Sequence, residues 1–216
     1  IREGVVSGGM ARKLIEIDGL LKTLGEHASV SITSPAKVAR ELFTYKGSGT
    51  LVRHGSPIRV QIGLDGLDRE KITDLLERSF SRSLDAAYLD SVGDASVYVG
   101  GDYTAIAIIK RRDAGHYLDK LGISEQAQGL GLGATLWNRI TRDHPNLFWR
   151  SRPENPANKW YLSRADGMHR TPDWLVFWYG PDARDRIEAC IADALSFGHA
   201  FVEPKPAQTK EAAHAG

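Results

Sequence analysis

Three strand patterns in close succession, followed by a glycine-rich turn and a helix, constrain the fold of this chain more than any other feature. The strands are predicted at Ser96 to Val99, Thr104 to Lys110 and His116 to Ile123. A tight hairpin turn at Gly100-Gly101-Asp102 joins the first two. After the third comes Gln128-Gly129-Leu130-Gly131-Leu132-Gly133, where helical spacing begins. This succession predicts an α/β domain.

Further elements are predicted on both sides of this unit. Helices are expected at Ala11 to Gly25, Pro35 to Phe43, Asp68 to Phe80, Leu84 to Tyr88, Leu130 to Arg142, Asn158 to Ser163 and Pro181 to Phe197. Strands are expected at Val30 to Thr33, Pro57 to Gly63, Leu147 to Trp149 and Trp174 to Tyr179. The elements before Gly55 are too few for a core of their own, so we place a second domain at residues 55–200. Residues 201–216 are expected to form a disordered tail.

Composition excludes several classes of function. Lys and Arg total 28 against 27 Asp and Glu, a net charge of +1 that gives no field for nucleic acid. Apolar runs such as Ala105 to Ile109 are far shorter than a membrane span, and we predict no membrane partner. The one cysteine, Cys190, lies among apolar residues and is expected to be a buried hydrophobe in a reducing cytoplasm. Because the chain opens at Ile1 without Met, we expect it to be a fragment of a longer protein.

The glycine-rich turn is typical of an anion site between a strand and a helix. Glycines allow close approach of a pyrophosphate, and the helix N-terminus favours negative charge. A nucleotide-binding loop would need Gly-Lys-Ser or Gly-Lys-Thr, whereas Ala134 and Thr135 follow Gly133. A dinucleotide fingerprint fits poorly, because no acidic residue ends the next strand. Gln128, Gly131 and Gly133 fit Gln/Arg-x-x-Gly-x-Gly/Ala, and a second frame starts at Gln126.

Two arginines follow a hydrophobic strand. Arg150 and Arg152 are two residues apart in an extended segment, so both point to the same side. Two guanidinium groups on one side can bind a dicarboxylic substrate. The alternative is a pair of solvated arginines facing Glu154 or Asp166, and the local pattern alone leaves both open.

The turn resembles the acetyl-CoA site of the GNAT superfamily, and the rest of the chain narrows that resemblance. Segments similar to the acetyltransferase domain of N-acetylglutamate synthases occur in the family's order from about Gly55 to Gly180. They are Tyr117-Leu118-Asp119-Lys120, Phe148-Trp149-Arg150-Ser151-Arg152, Asn155-Pro156, Trp160-Tyr161, Asp166-Gly167 and Val176-Phe177-Trp178-Tyr179-Gly180. The resemblance implies a GNAT fold, with a mixed central sheet, splayed strands and flanking helices. It also implies acetyl transfer from acetyl-CoA to the α-amine of L-glutamate, with no metal.

The N-terminal segment carries a second resemblance. Gly8-Gly9-Met10-Ala11-Arg12-Lys13 and Glu41-Leu42-Phe43-Thr44 are similar to segments of acetylglutamate kinases. Residues 1–54 are therefore expected to be the C-terminal remnant of an amino-acid kinase domain, followed by a linker. Kinase activity is expected to be nil, because the upstream glycine loop and substrate lobe are absent. The kinase domain of the full-length protein is an expected partner, and we expect a homo-oligomer.

The resemblance also implies roles for individual residues. The coenzyme is expected to contact Leu121, Ile123, Gln128, Gly129, Gly131 and Gly133. Glutamate is expected to contact Arg82, Tyr117, Arg150, Arg152 and Asn155. Tyr161 is the expected general acid, acting beside Asn155, and Gly122 is expected to mark the strand bulge. The general base stays open among His116, Glu125, Asp119 and an ordered water. Two other functions stay open: acetylation of a different amine, and an acetyl-CoA-binding module that regulates a kinase.

Overall fold

The computed structural model describes residues 8–24, 28–43, 49–53, 57–128, 131–198 and 200–202. The chain divides into two compact units, Ile1–Ser56 and Pro57–Gly216. Within the described residues, no helix combines the length and the apolar character needed to cross a bilayer.

The first unit is small. Helix α1 spans Gly8–Leu24, strand β1 Ser29–Ile32, helix α2 Val38–Phe43 and strand β2 Thr50–Arg53. β1 pairs antiparallel with β2, a strand that was not predicted from the sequence. Leu21 is buried, whereas Ile15 and Leu24 on the same helix stay exposed. The described part of this unit therefore leaves much of the apolar surface of α1 uncovered.

The second unit is built on a mixed sheet of seven strands. These are β3 (Ile58–Ile62), β4 (Ser96–Gly100), β5 (Ala105–Arg112), β6 (Gly115–Ile123), β7 (Leu147–Ser151), β8 (Gly167–Arg170) and β9 (Leu175–Tyr179). Their order across the sheet is β3-β4-β5-β6-β7-β9-β8. Neighbours are antiparallel except for β6 and β7, which are parallel. The mixed sheet confirms the predicted fold class.

Helices cover both faces of this sheet. They are α3 (Arg69–Phe80), α4 (Leu132–Asp143), α5 (Asn158–Leu162), α6 (Pro181–Asp185) and α7 (Ile187–Ser196). Alternation along β5 explains the layers: Ile106 and Ile108 pack in the core beside α3, whereas Ala107 and Ile109 pack in the core beside α4. Asp68 caps α3 as predicted, accepting hydrogen bonds from two main-chain N–H groups of its first turn.

Three predicted boundaries were wrong. Residues 84–88 are not a helix; Ser81, in a left-handed conformation, ends α3, and Leu84 forms a bridge with Phe201. Phe201 and Val202 therefore belong to the fold, whereas the predicted tail began at residue 201; residues 203–216 lie outside the described part. The single helix predicted from Pro181 to Phe197 is two helices, α6 and α7, which are separated at Arg186. The guanidinium of Arg186 donates to the Asp113 carbonyl. Cys190 is fully buried, as predicted.

The bulge in β6 lies at Asp119. Ile109 pairs with Leu118, but Ile108 pairs with Lys120, so Asp119 is an extra residue in its strand. Gly122 pairs regularly with Ile106, so the prediction that it marks the bulge was wrong. Its lack of a side chain serves close packing instead, since a Cβ there would lie 3.1 Å from the Ser79 hydroxyl.

Candidate active site

A cavity of about 350 Å³ opens where β6 and β7 separate. The two strands pair only at His116 with Leu147 and at Tyr117 with Phe148, and they diverge beyond that point. The cavity is lined by residues 117–121 of β6, residues 149–151 of β7 with Arg152 just after it, the end of α3 and residues that follow α7. Splayed strands, as the fold prediction required, thus create the candidate site.

All of the predicted substrate and catalytic residues line this cavity: Arg82, Tyr117, Arg150, Arg152, Asn155 and Tyr161. Of the predicted coenzyme residues, Leu121 lines it as well. Four other predicted coenzyme residues do not line the cavity. They lie between the end of β6 and the first turn of α4: Ile123, Gln128, Gly131 and Gly133. Gly129 falls outside the described residues.

Arg150 is held by the main chain at the end of α7. Its Nη1 donates to the Ala194 carbonyl at 3.0 Å, and its Nη2 donates to the carbonyls of Phe197 and Gly198, each at 2.8 Å. These contacts engage three of its five N–H donors, at the negative end of a helix where a cation is favoured, and Tyr117 is a further hydrogen-bonding neighbour of the same guanidinium. Its predicted contact with a substrate carboxylate would have to use the remaining donors.

Arg152 and Arg150 share one aromatic partner. The guanidinium carbons of Arg150 and Arg152 lie 4.0 and 4.1 Å from the centroid of the Trp174 ring. The two side chains thus point to the same side, as predicted, and a cation stacked on an indole is oriented without being neutralised. Arg82 lies across the cavity, where its Nη2 donates to the Val202 carbonyl at 3.4 Å.

A buried ion cluster that was not predicted from the sequence forms the β6 wall of the cavity. Asp119 is 3% exposed; it pairs with Lys120, which is also buried, and with the Lys110 Nζ at 3.0 Å. The Tyr88 hydroxyl donates to the same carboxylate at 2.9 Å. Burial would raise the pKa of Asp119, but the two lysines outweigh it and lower that pKa. Adjacent opposite charges inside an apolar strand were the signal for this cluster.

Tyr161 lies at the opposite wall. It is 6% exposed, and its ring packs against Trp149 and Phe177 at centroid distances of 5.5 and 5.6 Å. Burial raises the pKa of its phenol, which therefore keeps its proton at neutral pH. Asn155 has a local contact, because its Oδ1 accepts from the Ala157 N–H at 2.9 Å and shapes the turn into α5.

The glycine turn presents an open helix end. Gly131 has a φ of 79°, a left-handed conformation that favours glycine, and no side chain caps α4. The first α4 hydrogen bond runs from the Thr135 N–H to the Gly131 carbonyl, so the N–H groups of residues 132–134 precede the helical ladder. A Cβ on Gly133 would lie 3.7 Å from the Ile123 Cδ1, which places the turn beside the end of β6.

These features fit a coenzyme that carries a pyrophosphate and an extended chain. The open end of α4 can hold the phosphates. Beyond Tyr117, the β6 edge that faces β7 pairs with no strand in the described part of the chain, so its main-chain groups can bind the extended chain of the coenzyme. Among the described residues, no group of three or more His, Cys, Asp or Glu side chains is placed to hold a metal.

Replacing Arg150 by Met is expected to lower the free energy of unfolding by about 2–3 kcal/mol. The substitution removes the charged donors that hydrogen-bond to the carbonyls of Ala194, Phe197 and Gly198 at the end of α7. Urea denaturation measures this change. Arg142→Met, at a side chain 70% exposed, is the control and should shift stability by less than about 0.5 kcal/mol. Equal urea midpoints for Arg150→Met and the wild type would show that these contacts do not hold α7.

Saturation with CoA is expected to slow hydrogen exchange at the N–H groups of Leu132, Gly133 and Ala134 by roughly tenfold or more, because phosphates would accept hydrogen bonds from them. Mass spectrometry or NMR measures the change. The start of α3 is the internal control, since Asp68 already caps it. Unchanged exchange at the start of α4 with CoA bound elsewhere would remove the turn from the coenzyme site.

Sequence comparison places the chain in a family. A family model described as the N-acetyltransferase (NAT) of N-acetylglutamate synthase matches residues 59–197. The chain therefore belongs to this acetyltransferase family, which confirms the resemblance predicted from its motifs.

Individual relatives are consistent with that assignment. An acetylglutamate kinase of Xanthomonas campestris is 41% identical over 192 residues, covering 87% of this chain and 45% of the relative. The human mitochondrial N-acetylglutamate synthase is 39% identical over 175 residues, covering 78% of this chain and 33% of the human protein. The chain thus spans less than half the length of these curated relatives. The structure of N-acetylglutamate synthase from Neisseria gonorrhoeae, complexed with coenzyme A and N-acetyl-glutamate, has a TM-score of 0.45 and 19% identity, over 68% of this chain and 41% of that one.

Proposed function

We propose that this chain transfers an acetyl group from acetyl-CoA to the α-amine of L-glutamate. The observation that carries the proposal is the charge of the cavity between β6 and β7. Its lining includes four cationic side chains and two anionic ones: Arg82, Lys120, Arg150 and Arg152 against Asp119 and Glu154. Lys120 is buried and paired with Asp119, so the excess positive charge comes from the three half-buried arginines. A small cavity with such an excess favours a ligand with two carboxylates.

Each part of the site then has a chemical task. When bound, acetyl-CoA supplies the thioester carbonyl that the amine attacks. The start of α4 and the free edge of β6 orient it, so that the substrates react at short range. Tyr161 lines the same cavity, and because burial raises its pKa the phenol carries the proton that the departing thiolate would take.

The names of the relatives support the proposal for the whole chain. The alignment with the Xanthomonas kinase covers 87% of this chain, more than residues 59–197 alone. We infer that residues 1–54 are the end of an amino-acid kinase domain and that the kinase domain is a partner of the acetyltransferase. A cytoplasmic location and a homo-oligomer stay predictions.

A thiol-release assay tests the proposal. With acetyl-CoA present, release of CoA is expected to be fastest with glutamate and much slower with glutamine, aspartate or ornithine. Glutamine and ornithine have no side-chain carboxylate for the arginines, and the side chain of aspartate is one methylene shorter than that of glutamate. Faster release with another amine would show an acetyltransferase of different specificity. Binding of acetyl-CoA without release from any amine would show a regulatory module.

A further inference from the structure

Strand β7 gives the cavity two sides of different character. The guanidinium groups of Arg150 and Arg152 lie over Trp174. Side chains alternate along a strand, so Trp149 and Ser151 face the other way. Trp149 packs there with Leu118 and Tyr161 in the core that includes α4. One side of the cavity is thus cationic, and the other is neutral and largely aromatic.

The neutral side carries two buried polar atoms without a hydrogen-bond partner among the described residues. They are Trp149 Nε1 and Ser151 Oγ, in residues that are 1% and 4% exposed. Both residues line the cavity. Buried polar atoms in folded proteins nearly always have a partner, so this pair marks a place where a ligand contributes one.

The chemistry of the pair defines the partner. An indole N–H can only donate, and a hydroxyl can donate or accept. A carbonyl oxygen, with two lone pairs, can satisfy either donor or both. The glutamate carboxylates are matched by the cations on the opposite side, so the group on this side is expected to be uncharged.

We propose that Trp149 and Ser151 form a hydrogen-bonding site for a carbonyl oxygen on the pantetheine arm of acetyl-CoA. This inference rests on the proposed function. It assigns both residues a positioning role: they fix the arm between the aromatic wall and β6 while the arginine side holds the acceptor. Two carbonyl sources share this chemistry, an amide of the arm and the thioester.

Calorimetric titration of Ser151→Ala tests the site. The probes are CoA, acetyl-CoA and the nucleotide half of CoA, which lacks the arm. The variant is expected to bind CoA and acetyl-CoA roughly three- to tenfold more weakly than the wild type, the usual effect of losing one neutral hydrogen bond. Affinity for the nucleotide half is expected to stay unchanged. A loss for both CoA and acetyl-CoA assigns an amide, and a loss for acetyl-CoA alone assigns the thioester.

Thr33→Val is the matched control. The Thr33 hydroxyl is likewise buried without a described partner, but Thr33 belongs to the first unit and does not line the cavity. Its substitution should leave the affinity for all three probes unchanged. A loss of affinity in Thr33→Val equal to that in Ser151→Ala would overturn the inference, because the effect would then be general.

The wild-type protein offers a second readout. Trp149 packs against Trp137, Tyr161 and Phe177, so its replacement endangers the core. We therefore expect the Nε1 proton resonance of Trp149 in the intact chain to move downfield with CoA and not with the nucleotide half.

The outcomes separate this inference from the proposed function. A wild-type protein that binds neither CoA nor acetyl-CoA overturns both. If the wild type binds both ligands and Ser151→Ala has the same dissociation constants, only the carbonyl site is wrong.

Discussion

Tyr161→Phe is expected to lower kcat by roughly a hundredfold or more, because general acid catalysis typically contributes about 10²–10⁴-fold. The phenylalanine ring keeps the packing against Trp149 and Phe177, so the fold and the affinity for CoA should not change. Steady-state thiol release with saturating glutamate measures the effect. Tyr179→Phe is the control: this tyrosine packs against Trp137 in the same aromatic cluster but does not line the cavity.

The pH profile adds a second test of the same residue. Burial raises the pKa of Tyr161 above its ordinary value of about 10, so the phenol is protonated across the neutral range. No loss of kcat from its ionisation is expected below about pH 10. If the kcat of Tyr161→Phe equals that of the wild type, the thiolate leaves without a proton from Tyr161.

Arg152→Ala is expected to lower kcat/KM for glutamate by about one to two powers of ten, because a charge-assisted contact worth ~1.5–3 kcal/mol is removed. Glutamine, which has no side-chain carboxylate, should lose less. The KM for acetyl-CoA should stay near its wild-type value. Kinetics with both amino acids at fixed acetyl-CoA measure the difference.

Arg164→Ala is the matched control for this variant, since Arg164 also lies over a tryptophan ring, at 5.5 Å from that of Trp160, and outside the cavity. Arg150→Ala is a less direct test of substrate binding, because the loss of its hydrogen bonds at the end of α7 would lower stability at the same time. If Arg152→Ala keeps wild-type kcat/KM for glutamate, Arg152 does not bind the substrate, and the case for glutamate weakens.

The sequence predicted the parts of the fold that local pattern determines. Strands β4, β5 and β6, the cap at Asp68 and the helix after the glycine turn follow from alternation, capping and spacing within a few residues. The family motifs also predicted that Tyr117, Arg152 and Tyr161 belong to one site, and the structure places all three at one cavity.

Other features depend on contacts that no local pattern contains. The hydrogen bonds of Arg150 to carbonyls 44 to 48 residues later exist only because α7 ends beside β7. Strand β8 is short and mostly exposed, so it has no apolar alternation to reveal it. Lys120 was overlooked because a lysine is expected at the surface, and only its ion pair with Asp119 makes its burial possible.

The bulge at Asp119 sets which side of β6 each later residue faces. If the same residues formed a regular strand, alternation from Leu118 onward would turn Leu121 and Ile123 away from the core that contains α4. Because Asp119 is accommodated as an extra residue, both side chains return to that core. A deletion of Asp119 would therefore keep the coenzyme end of β6 on its present face, and would remove only the local irregularity and the buried carboxylate that pairs with Lys110 and Lys120.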